Sequence, residues 1–363
     1  MLSEIRPANG RWAIVGKDPE DYVVSTKFMV LRPNLELVLS DFVYLFLTSN
    51  EITKKLQQVA EYRSATFPQI TFEQVAEIEI RLPTMDEQRS IVTLIKSIDE
   101  KVASNRIIAK TLEEIAQAIF KSWFIDFDPV KAKMAGEKPV GMDDATAALF
   151  PDSMVDSELG PIPKGWKNRR IDDLGKVVTG KTPSTKEGDL WGEEVPFVTI
   201  PDMHGQLVIT GTRRFLSKKG ANSQKNQYLP KGSTLVSCIA TPGLVAYAAD
   251  ICQSNQQINS VIPNDEHPAP WLFWHLRNMI ATVVSRSGTG TVFANLNKSD
   301  FSSIESLVPT KSLRTAYSDC VEDMLLEIEA LRREAQLFES LRDLLLPRLI
   351  SGELQIPEEM LGA

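Results

Sequence analysis

Residues 175–182 read Gly-Lys-Val-Val-Thr-Gly-Lys-Thr, matching letter for letter the P-loop pattern, in which backbone amides at a helix N-terminus cradle a nucleotide phosphate. That chemistry needs a buried strand ahead of the loop and a long helix behind it. Here the lead-in is Arg169-Arg170-Ile171-Asp172-Asp173, and Pro183, Gly188 and Gly192 rule out the long helix, so the octapeptide is expected to be a turn. Asp99-Glu100-Lys101 imitates the end of a nuclease motif, yet its periodicity puts it on the solvent side of a helix. His204, His267 and His275 have neither metal-ligand nor triad spacing. No tetrapeptide of the Asn-Pro-Pro-Tyr or Asp-Pro-Pro-Tyr kind is present to hold a target amino group, and no Gly-rich strand-to-helix turn suits a methyl donor. Cys238, Cys252 and Cys320 are odd in number and match no metal motif, so free thiols in a reducing cytoplasm are expected, with Cys320 a small core residue of a helix. The chain reads as non-catalytic, with no cofactor and no metal.

The informative side chains are instead those suited to phosphates and base edges. Lys181, Thr182, Ser184, Thr185, Arg213, Arg214, Lys218, Lys219, Asn222, Ser223, Gln224 and Lys225 fall in turn-rich stretches of the second half, and Arg6, Arg11 and Arg63 are further candidates in the first. Arg213-Arg214 suits a guanine edge or a phosphate. Asn255-Gln256 reads as a buried hydrogen-bonding pair that fixes a loop. The net charge of -8 hides a contrast, because Trp166 to Phe301 carries 15 Lys plus Arg against 11 Asp plus Glu, a balance of +4. Local charge is what a phosphate backbone meets.

Two elements must position these loops. Thr84 to Phe124 places Ile91, Ile95, Ile98, Val102, Asn105, Ala109, Leu112, Ala116, Ile119 and Trp123 on one stripe at alternating spacings of four and three. Adding 226 to each number gives Tyr317, Val321, Met324, Ile328, Leu331, Ala335, Phe338, Arg342, Leu345 and Leu349, again with no gap. Helices of roughly 35 residues, about 50 Å long, act as struts, and the two are expected to bury their stripes against each other as an antiparallel coiled coil. The alternative is two separate surface helices. Asn105 and Arg342 break the apolar stripe and are expected to fix register.

With 363 residues and 43% hydrophobic content, two or three domains with ordinary cores are expected. No apolar run approaches the roughly 18 residues that span a bilayer, so no membrane is expected as a partner. Further matches between the halves make the chain an internal duplication. Leu2-Ser3-Glu4-Ile5 faces Val236-Ser237-Cys238-Ile239, Pro33-Asn34 faces Pro263-Asn264, Phe42-Val43-Tyr44 with Leu47 faces Trp271-Leu272-Phe273 with Leu276, and Phe67 faces Phe293. Strands are expected at Tyr22 to Val24, Phe28 to Leu31 and Ile78 to Leu82, with Ser40 capping a helix and Ala145 to Phe150 forming a turn or two of another. Ahead of Val236 lie about 70 residues from Trp166 that have no counterpart ahead of Leu2, so the first domain is expected to be incomplete, through a shortened chain or a start placed too late.

Several of these segments resemble the specificity (S) subunits of type I restriction-modification systems. They are Leu82-Pro83 with Glu87-Gln88 and Ile91, Ser122 to Phe127 with Pro129-Val130, Leu159 to Trp166, Gly180 with Thr182-Pro183-Ser184, Asn255-Gln256, Leu341 to Pro347, and Leu349 to Leu354. The resemblance implies an α+β fold in which two target recognition domains, the first one partial, are separated by two long helices packed as an antiparallel coiled coil. On that pattern residues 1–83 are a partial first recognition domain, 84–128 the first spacer helix and 129–165 a connector. The second recognition domain is then 166–309, the second spacer helix 310–350 and the tail 351–363. The packing residues would be Ile91, Ile95, Ile98, Val102, Leu112, Ile119, Val321, Met324, Ile328, Leu331, Phe338 and Leu345. Implied partners are double-stranded DNA bearing a bipartite site, modification (methyltransferase) subunits and restriction subunits. Self-association, or a second chain completing the first domain, stays open. The competing expectation is a truncated interaction scaffold that binds methyltransferase subunits and reads at most one half-site.

Overall fold

A computed structural model describes residues 1–3, 9–16, 23–63, 68–158, 160–239, 241–286 and 296–357. The chain forms two compact units, Met1–Arg106 with Glu334–Ala363, and Ile107–Arg333. The helices are α1 (Ser40–Thr48), α2 (Asn50–Arg63), α3 (Phe72–Ala76), α4 (Met85–Phe124), α5 (Asp128–Met134) and α6 (Asp144–Ala148), then α7 (Ile171–Leu174), α8 (Ile200–Met203), α9 (Lys218–Asn222), α10 (Ala269–Arg286), α11 (Lys298–Ser303) and α12 (Lys311–Ser351). The strands are β1 (Leu2–Ser3), β2 (Phe28–Met29), β3 (Met154–Val155), β4 (Ile162–Pro163), β5 (Lys167–Arg170), β6 (Gly175–Thr179) and β7 (Trp191–Val198). They continue with β8 (Val208–Ile209), β9 (Phe215–Leu216), β10 (Thr234–Ser237), β11 (Val245–Ala248), β12 (Gln253–Ser254), β13 (Ile258–Pro263) and β14 (Glu305–Val308). The fold is thus α+β.

The long helices begin and end for local reasons. Ahead of α4, the Thr84 N–H and hydroxyl both donate to Glu87 Oε2 at 2.8 Å, and the Glu87 N–H donates to Thr84 Oγ1 at 3.3 Å, a reciprocal cap. Those bonds hold the Glu87 carboxyl below its ordinary pKa. Past the end of α4, Phe127 takes the left-handed conformation at φ 57° and Pro129 opens α5. Helix α12 runs through Pro347, which sits in its last turn, and stops at Gly352, where φ is +75°.

Within each unit α4 and α12 pack antiparallel. In unit 1, Ile91, Ile95, Ile98 and Val102 are buried, as are Ala335 and Leu349, while Phe338 and Leu345 are half-buried. Arg342 Nη1 meets Asp99 Oδ1 at 2.8 Å, and Asn105 Nδ2 donates to Glu334 Oε2 at 2.6 Å, so numbers that rise along one helix meet numbers that fall along the other. Both polar breaks in the stripe therefore end on an acid of the opposite helix, which ties register to charge. Asp99 and Lys101 face the partner helix rather than solvent alone, because Lys101 also pairs with Glu334 at 3.1 Å. In unit 2, Ala116, Trp123, Tyr317, Val321, Ile328 and Leu331 are buried, and Leu112, Ile119 and Met324 are half-buried. There the Tyr317 hydroxyl donates to the Ala116 carbonyl at 2.9 Å, and Arg332 meets Glu113 at 2.6 Å.

The core of unit 2 is an aromatic cluster resting on a sheet ordered β6-β13-β10-β11-β8. Tyr317 stands edge-on to Phe120 at 5.4 Å and to Trp123 at 6.0 Å, and Trp166 closes on Phe124 at 5.9 Å and Phe127 at 5.3 Å. The stretch Trp123 to Phe127 is thus a packing device that ties the end of α4 to Trp166, just ahead of β5.

Hydrogen-bond register exposes the duplication. Leu2 pairs with Met29 and Ser3 with Phe28, as Val236 pairs with Asn259 and Ser237 with Ile258. Ser3 N–H donates to the Arg11 carbonyl as Ser237 N–H donates to that of Leu244. Asn34 Oδ1 accepts the Glu36 N–H and Asn264 Oδ1 accepts the Glu266 N–H, each at 3.1 Å.

Several sequence expectations need correction. Residues 78–82 are not a strand, although Glu305–Val308, the counterpart of residues 79–82, is. The latter pairs with β5, and no described segment of unit 1 offers residues 78–82 an equivalent partner. Val23 and Val24 are likewise not in a strand, and the strand expected over Phe28 to Leu31 is confined to Phe28–Met29; Tyr22, Phe67 and Phe293 lie outside the described residues. Helix α1 starts at Ser40 itself, with Leu39 in the cap position and no side-chain cap. Cys320 is exposed on α12 rather than in a core. The octapeptide 175–182 is not a turn throughout, because Gly175–Thr179 is strand β6, paired along β13.

Two measurements follow. Ile95 is fully buried and Ile107 is 66% exposed on the same helix, so Ile95→Ala is expected to cost about 2–5 kcal/mol in denaturant unfolding and Ile107→Ala about 0.5 kcal/mol or less. His275 and His267 are buried in unit 2, and desolvation pushes their pKa values down to about 3 and about 4. The unfolded chain binds protons there below about pH 6.5 and the folded chain does not. Thermal stability should therefore fall as pH drops from 7 to 5, and fall less in a variant carrying His267→Asn and His275→Gln.

Candidate nucleic-acid interface

The polar loops of unit 2 are held by backbone contacts and a small set of buried amides. Gly180 lies where a Cβ would come within 2.1 Å of the Asn255 carbonyl oxygen, so no side chain fits. Its N–H donates to the Ile258 carbonyl at 3.0 Å, and the Lys181 N–H to that of Ser254 at 2.9 Å. These amides are spent on neighbouring chain and no helix follows, so the P-loop match lacks its phosphate cradle.

Gln224 is buried, and its Nε2 donates to the Lys181 carbonyl at 2.8 Å and to Gln253 Oε1 at 2.7 Å, so it organises the loop instead of presenting donors outward. Gln253, also buried, donates to the Ala221 carbonyl at 2.9 Å. Thr182, half-buried, donates to Gln256 Oε1 at 2.6 Å. Asn255 and Gln256 do not form the expected buried pair. Asn255 bonds to Gln257, accepting its N–H at 3.1 Å and donating to its Oε1 at 3.0 Å, and Gln256 is exposed.

Around this frame Lys181, Ser184, Thr185, Arg213, Arg214, Lys218, Lys219, Asn222, Ser223 and Lys225 are exposed. Lys219 is paired with Asp189, which raises the lysine pKa and lowers that of the acid. The Ser223 hydroxyl donates to the Gly220 carbonyl at 2.7 Å. The Arg214 guanidinium stacks 3.7 Å over the Trp191 ring, whose Nε1 donates to the Ser184 carbonyl at 3.1 Å, a cation–π arrangement that holds the guanidinium plane. Ahead of it, the Arg213 N–H donates to Asp202 Oδ1 at 3.0 Å, and Asp202 Oδ2 caps Thr199. Trp191, Asp202 and Gln253 position the candidate contact residues and were not singled out from sequence. Thr199 followed three residues later by Asp202 was the one available signal, a helix-capping pattern. In unit 1, Arg11 is exposed, and Arg6 and the side chain of Arg63 lie outside the described residues.

Burial pushes the Cys238 thiol up to about 11 and Cys252 up to about 12, which keeps both protonated and unreactive. Among the described residues no group of His, Cys, Asp and Glu could hold a metal ion, and no helix is long and apolar enough to cross a membrane.

The family described as "Type I restriction modification DNA specificity domain" matches residues 2–116 and 163–313. The specificity subunit of the type I restriction enzyme HindI from Haemophilus influenzae is 40% identical over 394 aligned positions, covering 98% of this chain and 86% of that protein. The MjaIX specificity subunit from Methanocaldococcus jannaschii is 25% identical over 329 positions, covering 88% of this chain and 70% of the relative. The crystal structure of the type I S subunit from M. genitalium shares the fold at a TM-score of 0.51 and 15% identity, over 86% of this chain and 73% of that one. On the family match and the alignment along nearly its whole length, this chain belongs to the DNA specificity subunits of type I restriction-modification systems.

Proposed function

We propose that this chain selects the DNA site for a type I restriction-modification complex and lends its long helices to the modification and restriction subunits as a docking surface. The observation that carries this reading is the exposed set Lys181, Arg213, Arg214, Lys218 and Lys225, with buried amides fixing the chain at Lys181 and an indole beneath one guanidinium. Lysines supply phosphate contacts that set register on the duplex, and a planar, oriented arginine is suited to a guanine edge. Methyl transfer and cleavage then belong to other subunits. Two readers on paired helices make half-site spacing a matter of geometry, the reading we adopt for a bipartite site. The domain limits 1–83, 84–128, 129–165, 166–309, 310–350 and 351–363 are part of this proposal.

Docking is supported by apolar side chains that the helix pairing leaves uncovered. In unit 1, Leu337, Leu341 and Leu344 are exposed at spacings of four and three, a second stripe beside the buried one. In unit 2, Ile108 and Ile115 are exposed with Leu112 half-buried between them. A partner helix would find in each an apolar stripe to cover. The scaffold reading, with at most one half-site read, is favoured by the clustering of described contact candidates in unit 2.

Two experiments test the proposal. Arg213→Ala with Arg214→Ala should weaken site-specific binding by the assembled complex by about 1–3 kcal/mol and flatten its salt dependence. Affinity unchanged across salt would remove both from the interface, and a footprint confined to one half-site would select the scaffold reading. Leu337→Asp with Leu341→Asp should leave the melting profile of the free chain nearly intact yet abolish co-purification with methyltransferase subunits. Retention of those subunits would exclude that stripe.

A further inference from the structure

Behind the start of α12, in unit 2, lies a polar cleft of about 380 Å³ whose wall includes Lys167, Arg169, Glu266, His267, Thr310 and Arg314. Two of its lining residues, Asp173 and Glu266, stand just outside the Gly175–Pro263 pair that ends the β6–β13 ladder, whereas the loops described above begin beyond Thr179 at the other end of β6. Strand β5 alternates its side chains. Asn168 donates to Glu305 and Arg170 pairs with Asp172, while Lys167 and Arg169 turn to the cleft with no hydrogen-bond or ion-pair partner among the described residues.

The duplication supplies an internal control. Gln88 and Arg314 are equivalent positions, 226 apart, as are Pro83 and Pro309. Buried Gln88 donates to the Pro83 carbonyl at 3.0 Å and the Leu37 carbonyl at 3.1 Å, and its Oε1 accepts the Leu39 N–H at 2.9 Å, leaving it satisfied and neutral. Arg314 does the same mechanical work, donating to the Pro309 and Glu266 carbonyls at 3.1 Å each. It does so with a full positive charge that is 93% buried, since its exposure is 7%, and its Nε has no partner. A neutral amide suffices for the hydrogen bonds of the joint, and beyond them the charge faces the Trp271 ring, whose centroid lies 5.4 Å from the guanidinium carbon. His267, at 6% exposure, bonds through Nδ1 to Asn264 at 2.7 Å, and its Nε2 has no partner among the described residues. Glu87, which caps α4, is replaced by Leu313, and the first turn of α12 holds no acid. Against three cations stand Glu266 and Asp173, the latter already accepting the Arg170 N–H at 3.1 Å, so the wall is net positive at neutral pH.

We infer that this cleft binds a phosphate group, gripped by Lys167 and Arg169 and attracted by the fixed charge of Arg314 in its wall. The inference stands apart from the DNA reading of the loops. Its occupant is a phosphate of the duplex backbone or a free phosphorylated compound, and one set of variants separates these.

Titration of the full chain with inorganic phosphate at constant ionic strength, followed by calorimetry and by the imidazole resonances of His267, should give one saturable site. Lys167→Gln with Arg169→Gln should weaken it at least tenfold. Arg314→Gln, the residue the first copy already tolerates, should do likewise while the melting profile stays unchanged. Absence of binding, or equal binding by the parent and both variants, overturns the inference. Where phosphate binding is lost, a matching fall in DNA affinity and in its salt slope assigns the site to the backbone, and unchanged DNA binding assigns it to a free phosphate compound.

Discussion

The antiparallel contact of α4 with α12 is the constraint on which both units depend. Each unit takes one stretch of each helix into its core: Ile91 and Ile95 join Leu346 and Leu349 in one, and Phe120 and Trp123 join Tyr317 and Ile328 in the other. Such pairing requires an apolar seam on both helices and charge that agrees on register. Arg342 with Asp99 and Arg332 with Glu113 meet that second requirement. Exposed ion pairs contribute little to stability, but half-buried pairs in a fixed order penalise any slipped alignment.

The two copies solve common problems with different residues. The joint at the start of each long helix is a glutamine in one and an arginine in the other, each bonded to the carbonyl of the preceding proline. The short helix ahead of each joint is capped by Thr71 with Gln74 in the first copy and by Asn297 with Asp300 in the second. What differs is the surrounding sheet. The second copy adds β5 to β14 and β6 to β13, and both contacts come from one continuous stretch, Lys167–Thr179. A strand is a shared property of two segments, which is why residues 79–82 and 305–308 read alike and fold differently.

Much of this was legible in the residues. The long helices, their stripe and the repeat at 226 rest on periodicity, which records the local geometry of a helix directly. The family was legible because its motifs are packing devices with fixed chemistry, such as Trp123 to Phe127 around Trp166. The division of labour inside the candidate interface was not. Gln224 and Lys225 are adjacent and both suited to DNA, yet one is buried under Lys181 and the other exposed, a difference set by long-range contacts with β12. Cys320 misled because apolar spacing around a helix says which side is buried only once its neighbours are known.

One unit is discontinuous and the other is not. Unit 2 is one continuous stretch, residues 107–333, whereas the core of unit 1 joins Met1–Arg106 to Glu334–Ala363. At ribosomal speeds of about 5–20 residues per second, the intervening stretch of 227 residues (334 less 107) imposes a delay of roughly 10–45 s. Over that interval the nascent first segment carries the apolar stripe of α4 without its mate. Chaperones that shield such surfaces have their longest opportunity there, and synthesis halted before residue 334 would leave the first unit without the segment that completes its core.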